Sequence, residues 1–545
     1  MKILLLIASI LLGSMASAQN FTISGSVKDS TNGEDLYGAS VQVKELANVG
    51  ALTNAYGFYS LTLEQGSYTL VFRSSGFETK ERKIELNEDL TINIELDIPK
   101  DIQELGAVIV NAEKENKNIT SSGMNVTKFD PKEIETLPVL FGEKDIMKTL
   151  QLTPGVKGAG EGNAGFFVRG GGADQNLILL DEAPVYNASH LLGFFSVFNS
   201  DAIKDVALYK SGIPAEYGGR ASSVMDVKMR DGNNKKFGAS GGIGLIASRL
   251  TLEAPIVKDK GSFIISGRRS YADLFLKLAP KEDQRNTTLY FYDLNMKANY
   301  RLGEKDRIFL SGYFGRDKFG FSDVFGFNWG NATGTLRWNH IINNKFFSNT
   351  SIIYSNFDYE FTIGQGEDGF GVVSSIQDWN VKQDFSYFIN SNNTLKFGVN
   401  GIHHTFKPGA LTGGNESFNA IVLNQRYGLE VGAYIQNEQK IGSRINMMYG
   451  LRYSGFNLMG EGKAYDFNEF GNIVDQRDYA SWESIKYSEV HTSELQSLGS
   501  ISYSFFCLTT KLLFFPFFPP LPSFSLSFLF FPFPSPPLSF PHSPS

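Results

Sequence analysis

Residues 167–186 read FVRGGGADQNLILLDEAPVY, and this stretch decides how the middle of the chain is interpreted. Three consecutive glycines follow Arg169 and precede the apolar run 177–180. Just upstream, GEGNAG (160–165) satisfies the pattern G-x-G-x-x-G. A dinucleotide-binding fingerprint needs a helix directly after its glycines. Here the glycines precede the strand-like GFFVRGGG, so they indicate tight turns between the strands of a compact domain.

The composition favours a large β-rich chain. Its 545 residues suggest two to four domains. Aromatic residues make up 13% of the chain and there are 55 glycines, a combination typical of pleated strands joined by many turns. The formal net charge is −7, and the basic residues are scattered. A nucleic-acid partner would require a basic stripe, so none is predicted.

The N-terminus predicts export. Residues 1–18 contain Lys2, an apolar run and the small-residue end Ala16-Ser17-Ala18, the pattern of a secretory signal peptide. The single cysteine, Cys507, excludes an internal disulfide and a cysteine-based metal site. Between residues 20 and 505 there is no apolar run of about 18 residues, so any membrane span must be a β-barrel.

Two domains are expected before the long strands begin. Residues 19–98 alternate apolar and polar positions, as in LTINIELDI (90–98), and predict a small β-sandwich. Residues 124–232 predict a mixed α/β domain, in which GEKDIMKTLQLTPGV gives a short helix that ends before Pro154. Between them, residues 99–123 form a polar linker with the apolar run 108–110. This run is either a last strand of the sandwich or an exposed strand that pairs with a partner's sheet edge.

Residues 233–505 predict a partial antiparallel β-barrel. In TLKFGVN, Leu395, Phe397 and Val399 alternate with polar or small residues, and about twelve such strands of roughly ten residues are expected. Tight turns are predicted at 303–306, 342–345, 390–393 and 441–444. Long loops are predicted near 316–328, 407–425 and 457–494. Short turns on one side and long loops on the other are typical of outer-membrane barrels, with a soluble β-sandwich as the alternative.

The end of the chain has a different character. Residues 506–545 are rich in Phe, Pro and Ser and have no charge after Lys511. Proline breaks both a strand ladder and a helix, so neither spanning structure is expected there. We interpret this tail as not native to the protein, with a frameshift or truncation of the gene near residue 505.

The sequence predicts no catalytic site, metal or cofactor. His403 and His404 are adjacent, and in a strand they would point to opposite faces, so they cannot converge on one ion. The chain has no GxSxG elbow and no HExxH pair.

Several stretches carry a family resemblance. LYGASVQVKEL, GALTNAYGFYSLTL and GSYTLVFRSSGFE resemble the carboxypeptidase-regulatory-like domain. LPVLFGEKDIMKTLQLTPGV, GNAGFFVRGGGADQNLILLDEAPVY and FSVFNSDAIKDVALYKSGIPAEYGGRASSVMDVKMRDG resemble, in order, the plug domain of TonB-dependent outer-membrane receptors. The resemblance implies a receptor and active transporter in a Gram-negative outer membrane, in contact with its lipid. NLILLDEAPVY departs from the signature usual in the polysaccharide-import subfamily and is closer to the general receptor group, so glycan import is not favoured. The ligand-facing loops have no readable code, so siderophore, peptide, oligosaccharide and vitamin ligands all remain open.

The resemblance also assigns site residues and a partner. The segment matching the TonB box, which pairs with the energy-transducing TonB-type protein of the inner membrane, is Val108, Ile109, Val110, Asn111 and Ala112. The plug charges expected to bridge to the barrel wall are Arg169, Glu216 and Arg220, with Glu253, Arg268 and Arg269 as candidate wall partners. The alternative for these charges is simple solvation. A non-transporting exported binding or signalling module, or a non-functional fragment of such a receptor, is the alternative function.

Overall fold

The computed structural model describes most of the chain up to residue 510. The described residues are 19–46, 49–99, 126–129, 139–140, 143–160, 165–321, 324–364, 369–413, 424–442, 445–460, 462–468, 473–479 and 500–510. The predicted signal peptide, TonB box (108–112) and C-terminal tail beyond 510 therefore lie outside the described residues. Within those ranges no helix is long and apolar enough to cross a membrane.

The first part of the chain is a two-sheet β-sandwich, here called the N-terminal domain (residues 19–99). Its strands are β1 Asn20–Asp29, β2 Ser40–Val43, β3 Gly50–Leu52, β4 Phe58–Glu64, β5 Gly66–Arg73, β6 Lys80–Leu86, β7 Leu90–Thr91 and β8 Ile94–Leu96. One sheet has the order β4-β1-β7, with β8 also paired to β1, and the other has the order β3-β2-β5-β6. The predicted alternation has a direct cause: Ile92, Ile94 and Leu96 lie in the apolar core between the sheets.

The central domain (residues 126–232) is built on a five-stranded sheet of order β15-β14-β19-β18-β9. Its strands are β9 Val126–Phe129, β10 Val139–Leu140, β11 Glu143–Lys144, β12 Val156–Gly158, β13 Phe166–Val168, β14 Asn176–Leu180, β15 Ala183–Pro184, β16 Ser189–His190, β17 Phe195–Ser196, β18 Ile203–Tyr209 and β19 Ser223–Met229. It also has helix α1, Ile146–Gln151, and the 3-10 helices Ala173–Gln175, Leu191–Gly193 and Ser200–Ala202. The side chain of Asp145 caps α1 by accepting from the Lys148 amide. As predicted, the helix ends before Pro154.

The remaining strands form one large antiparallel sheet, here called the wall. Its order is β20 to β30 in sequence, followed by β33, which gives twelve strands among the described residues. These are β20 Gly238–Ile243, β21 Ala247–Val257, β22 Gly261–Ser270, β23 Thr288–Arg301, β24 Asp306–Phe321, β25 Phe325–Asn343, β26 Phe346–Ile363, β27 Phe370–Asn390, β28 Asn393–Gly413, β29 Arg426–Ile441, β30 Ile445–Met459 and β33 Ser500–Thr510. A separate hairpin pairs β31 Gly462–Phe467 with β32 Ile473–Tyr479, and short helices α2 Ala272–Leu276 and α3 Glu282–Arg285 precede β23.

The two faces of the wall differ in polarity. One face contacts the central domain and carries polar side chains such as Arg337 and Ser351, both nearly fully buried. The other face carries a row of exposed apolar side chains: Leu310, Leu336, Ile352, Val381, Val399, Ile435 and Leu451. The alternation predicted for TLKFGVN is confirmed, since Val399 is on the outer face and Lys396 lines the interior. The mostly-β fold with a partial antiparallel barrel is also confirmed.

The predicted turns and loops had different outcomes. The wall strands turn at 302–305, 344–345 and 391–392, as predicted, and we call this side the turn end. The long loop expected at 316–328 is wrong, because β24 continues to Phe321 and β25 begins at Phe325. Likewise β28 extends to Gly413, and the β31–β32 hairpin occupies part of 457–494. The strands reach 21 residues, about twice the expected length.

Candidate functional site: the junction of the central domain and the wall

A two-residue turn of the central domain places two acidic side chains at the junction. Asp181 and Glu182 connect β14 to β15 with φ of 49° and 76°, and positive φ at both positions is typical of a type I′ hairpin turn. The turn directs the Glu182 carboxylate at the wall. There it accepts a hydrogen bond from the Ser351 hydroxyl at 2.7 Å, and its Oε1 lies 3.1 Å from Nε of Arg337.

Burial makes this pairing necessary. The side chain of Arg337 is 3% exposed and that of Glu182 is 10% exposed, and a buried charge without a partner is costly. Burial by itself would raise the pKa of Glu182, but the Arg337 guanidinium outweighs it and holds the pKa below its usual range. The carboxylate therefore stays ionised, and the ion pair fixes the turn to strand β25.

A second bridge uses one lysine and two aspartates. Nζ of Lys297, on β23, lies 3.2 Å from Asp181 and 3.1 Å from Asp231, and it donates to the Met229 carbonyl at 2.7 Å. The three charged side chains are each at most 6% exposed. This lysine thus ties the β14–β15 turn and the end of β19 to the same wall strand.

A third bridge is centred on His190. Its Nδ1 lies 2.6 Å from Asp317 and its Nε2 lies 3.2 Å from Asp293. The ring stacks on Phe291 at 4.3 Å. Desolvation lowers the pKa of His190, but the two carboxylates raise it more, and the net pKa is raised. Asp293 also pairs with Arg268 at 2.6 Å.

Beside Glu182 lies a cavity of about 250 Å³, to which all three parts of the chain contribute. The N-terminal domain supplies Tyr56, the central domain supplies Glu216 and Arg220, and the wall supplies Lys382 and Arg452. The lining is rich in charged and aromatic groups, so the space is suited to water and polar solutes.

The three charges predicted for the central domain are not the ones that carry the bridges. Arg169 is exposed, with its amide donating to Gly155 at 3.0 Å. Glu216 is half-buried, and its carbonyl accepts from Arg452 at 3.4 Å. Arg220 is exposed and donates to the Gly219 carbonyl. Glu216 and Arg220 meet in the cavity, while Arg169 does not line it.

The candidate wall partners contact other residues. Glu253 pairs with Arg230 of the central domain at 2.7 Å, so this ion pair also bridges the wall and that domain. Arg268 donates to the Ser196 carbonyl at 2.8 Å, so it does connect the wall to the central domain. Arg269 lies over the Tyr290 ring at 5.2 Å. A usable signal for the true anchor was present in LLDEAPVY, where two acids interrupt an apolar run.

At the end of the wall remote from the turn end, the polarity of the two faces is reversed. The outer face there carries the ion pair between Arg316 and Asp358, at 2.5 Å. The inner face carries an aromatic cluster in which Phe327 lies 4.7 Å from Trp329 and 6.3 Å from Phe361. We call Phe319, Phe325, Phe327, Trp329, Tyr359 and Phe361 the aromatic face. Trp329 donates to the Ser189 carbonyl of the central domain at 3.4 Å, so the cluster begins directly above that domain.

The domain order agrees with known families. Residues 118–224 match the family model described as TonB-dependent Receptor Plug Domain. The chain contains a TonB-dependent receptor plug domain. Residues 23–110, which include most of the N-terminal domain, match the CarboxypepD_reg-like domain. The central domain is from here on called the plug domain.

Individual relatives match more loosely. The TonB-dependent transporter Oar of Myxococcus xanthus is 24% identical over 242 residues, which are 43% of this chain and 22% of that protein. Bacillopeptidase F of Bacillus subtilis (strain 168) is 41% identical over 71 residues, 13% of this chain and 5% of that protein. The solved structure of the copper transporter OprC superposes with a TM-score of 0.48 at 12% identity, covering 67% of this chain and 59% of that one. The chain thus spans less than a quarter of the length of the curated relatives it matches.

Proposed function

We propose that this chain acts as a TonB-dependent receptor of the Gram-negative outer membrane and takes up a ligand by movement of its plug domain. The observation that carries the proposal is the way the plug domain is held against the wall. The bridges at Glu182, Lys297 and His190 are buried and paired, so breaking them is costly. A plug fixed in this way stays in place until energy is supplied to move it.

The outer face of the wall supports a membrane location. Val381 and Val399 are 57% and 56% exposed, and they belong to a continuous apolar row that crosses neighbouring strands. Apolar side chains outside and polar side chains inside are what a barrel in lipid requires. Outer-membrane lipid is therefore the proposed environment of this face.

The aromatic face supports a site for ligand contact above the plug domain. Phe325, Phe327 and Tyr359 are half-buried, and they point to the same side as Trp329. Siderophore, peptide, oligosaccharide and vitamin ligands all have surfaces that could pack on aromatic rings. The proposal assigns no catalytic residue, since transport leaves the ligand chemically unchanged.

The energy source in this proposal is a TonB-type protein of the inner membrane, which pairs with residues 108–112. The test places a photo-crosslinking amino acid at Asn111 in cells of the source bacterium. We expect a covalent adduct with the energy-transducing protein. Ile109→Pro should abolish the adduct, because proline removes the backbone donor that strand pairing needs, whereas Ile109→Val should retain it.

A crosslinker at Asn118, outside the predicted box, serves as the positional control. The same cells are fractionated to locate the protein. Absence of an adduct from every position in 108–112, or recovery of the protein in the periplasm, would overturn the importer and favour a non-transporting exported module.

A further inference from the structure

The N-terminal domain lies against the turn end of the wall and the plug domain at once. The Ser24 hydroxyl donates to the Asn344 side chain in the β25–β26 turn at 3.1 Å. In the segment that joins the plug domain to the wall, the Asn234 amide donates to the Asn32 carbonyl at 2.9 Å, and Lys235 pairs with Glu95 at 2.7 Å. The domain therefore covers the turn end of the lumen, the space on the inner side of the wall. A ligand that crosses the lumen would leave at this end.

Two adjacent acids of the N-terminal domain hold this position. Asp35, which is 4% exposed, pairs with Arg307 of the wall, and its carbonyl accepts from Lys204 of the plug domain at 2.6 Å. Glu34 accepts from the Asp231 amide at 3.0 Å. Arg307 also lies 2.9 Å from Asp231. One guanidinium thus connects all three parts of the chain.

An aromatic contact extends from the N-terminal domain to the main anchor of the plug. Tyr56 stacks on Phe347 of the wall at 5.5 Å, and Phe58 packs on the same ring at 5.6 Å. The Tyr56 hydroxyl donates to Glu182 at 3.0 Å. The carboxylate that fixes the plug domain to Arg337 is therefore shared with the N-terminal domain, so displacement of one domain weakens the hold on the other.

The same contacts permit the domain to leave as a unit. Its own apolar core, including Leu61 and Phe72, is closed between its two sheets and does not depend on the wall. The contact with its neighbours combines one aromatic cluster, in which Phe58 packs on Phe347 and Phe388, with polar and charged pairs. Its rim is solvent-exposed, with Glu95 48% exposed in its ion pair. Interfaces of this kind between domains usually allow relative motion.

We propose that the N-terminal domain is a gate at the turn end of the lumen, and that it separates from the plug domain and the wall during transport. This inference rests on the proposed import function. The chain connects β8 of the gate to β9 of the plug domain through residues 100–125, so a pull on that connection loads both attachments. Among the described residues, strand β9 is at the edge of the plug sheet and pairs with β18 alone. In this proposal, one pull on residues 100–125 releases the N-terminal domain and the plug domain from the wall.

The test measures thiol labelling in the full-length chain with Cys507→Ser as background. Ser24→Cys reports the contact with the wall, because Ser24 is 2% exposed and faces Asn344. Ala39→Cys reports the interior of the domain, where Ala39 is fully buried in the core. We expect a maleimide to label Ser24→Cys about tenfold faster in energised cells than in cells treated with a protonophore. Ala39→Cys should stay unlabelled in both.

A second measurement tests the ion pair between Asp35 and Arg307 in the absence of the energy source. In purified protein, Asp35→Asn should raise the labelling rate of Ser24→Cys, because it removes one partner of Arg307. Lys44→Ala is the matched control, since Lys44 pairs with Glu81 on the exposed surface of the same domain. It should leave the rate unchanged.

Three results would overturn the gate. One is equal labelling of Ser24→Cys with and without energy while the Asn111 adduct persists, which leaves the import proposal intact. Another is parallel labelling of Ser24→Cys and Ala39→Cys, which indicates unfolding of the domain. The last is equal labelling of the Asp35→Asn protein and its parent. Loss of the Asn111 adduct would instead contradict the proposed import function itself.

Discussion

The plug-domain residue His190 places its imidazole between two wall carboxylates. It is 1% exposed, and Asp317, Asp293 and the Tyr313 hydroxyl face its ring. Its pKa is raised above the ordinary value of 6.5 because both carboxylates favour the imidazolium, in spite of desolvation. A histidine whose pKa is raised on folding stabilises the folded state fully below its unfolded pKa. It loses that contribution as the pH rises through the folded pKa.

We therefore expect the stability advantage of the wild type over His190→Gln to depend on pH. The difference in the urea midpoint should be largest below the unfolded pKa of about 6.5 and should shrink as the pH rises above it. Glutamine keeps the hydrogen-bonding capacity of the site and carries no charge, so the difference isolates the titration. A difference that does not shrink at any pH above that value would contradict this account of His190.

At the same scale, the sequence predicted the kind of anchor and not its residues. Charges were expected to bridge the plug domain and the wall, and buried ion pairs are present. The pair that fixes the β14–β15 turn joins Glu182 to Arg337, which are 155 positions apart. No spacing rule relates residues across such a separation in sequence, because the pairing follows from how the wall packs against the plug domain. Arg169 was selected because it lies beside three consecutive glycines, and that position says nothing about its contacts.

At the scale of elements, alternation with a period of two was sufficient to assign the faces of β28. Each residue of a strand must point to the opposite side from its neighbour, and the outer side of β28 carries the exposed Val399. Composition misled at 316–328, where polar residues and glycines suggested a long loop. There the outer face becomes polar and the inner face aromatic, so the stretch has the composition of a loop although residues 316–321 are paired with residues 325–330. Strands that extend past the membrane exchange the polarity of their two faces.

That exchange gives a prediction on strand β27. Val381→Arg places a charge in the middle of the outer apolar row, where lipid contact would cost about 2–4 kcal/mol. Ser375→Arg is on the same face of the same strand, about 20 Å further along, beside the outer carboxylate Asp358. We expect Val381→Arg to lower recovery of heat-modifiable protein from the outer-membrane fraction and Ser375→Arg to leave it unchanged. Equal recovery of both variants would contradict a lipid-facing row.

For the whole molecule, the order of parts along the chain was readable from the sequence, and their contact was not. Sandwich, plug domain and wall each have a local signature, because strand period, helix caps and turn lengths are short-range properties. The triple contact at Arg307 joins residues from all three parts. It depends on how finished domains dock, which no local pattern encodes. The gate is therefore a property of the assembled chain.

A gate of this kind must stay folded when it is separated from the wall and the plug domain. The closed apolar core of the N-terminal domain predicts that it does. Residues 19–99 expressed alone should unfold cooperatively on heating, as followed by circular dichroism. Leu61 is fully buried between the sheets, so Leu61→Ala should lower the free energy of unfolding by about 2–5 kcal/mol. Leu52 is 59% exposed, so Leu52→Ala should change it little. If the isolated domain shows no cooperative transition, it cannot leave the lumen as a folded unit, because its structure would then depend on the wall and the plug domain.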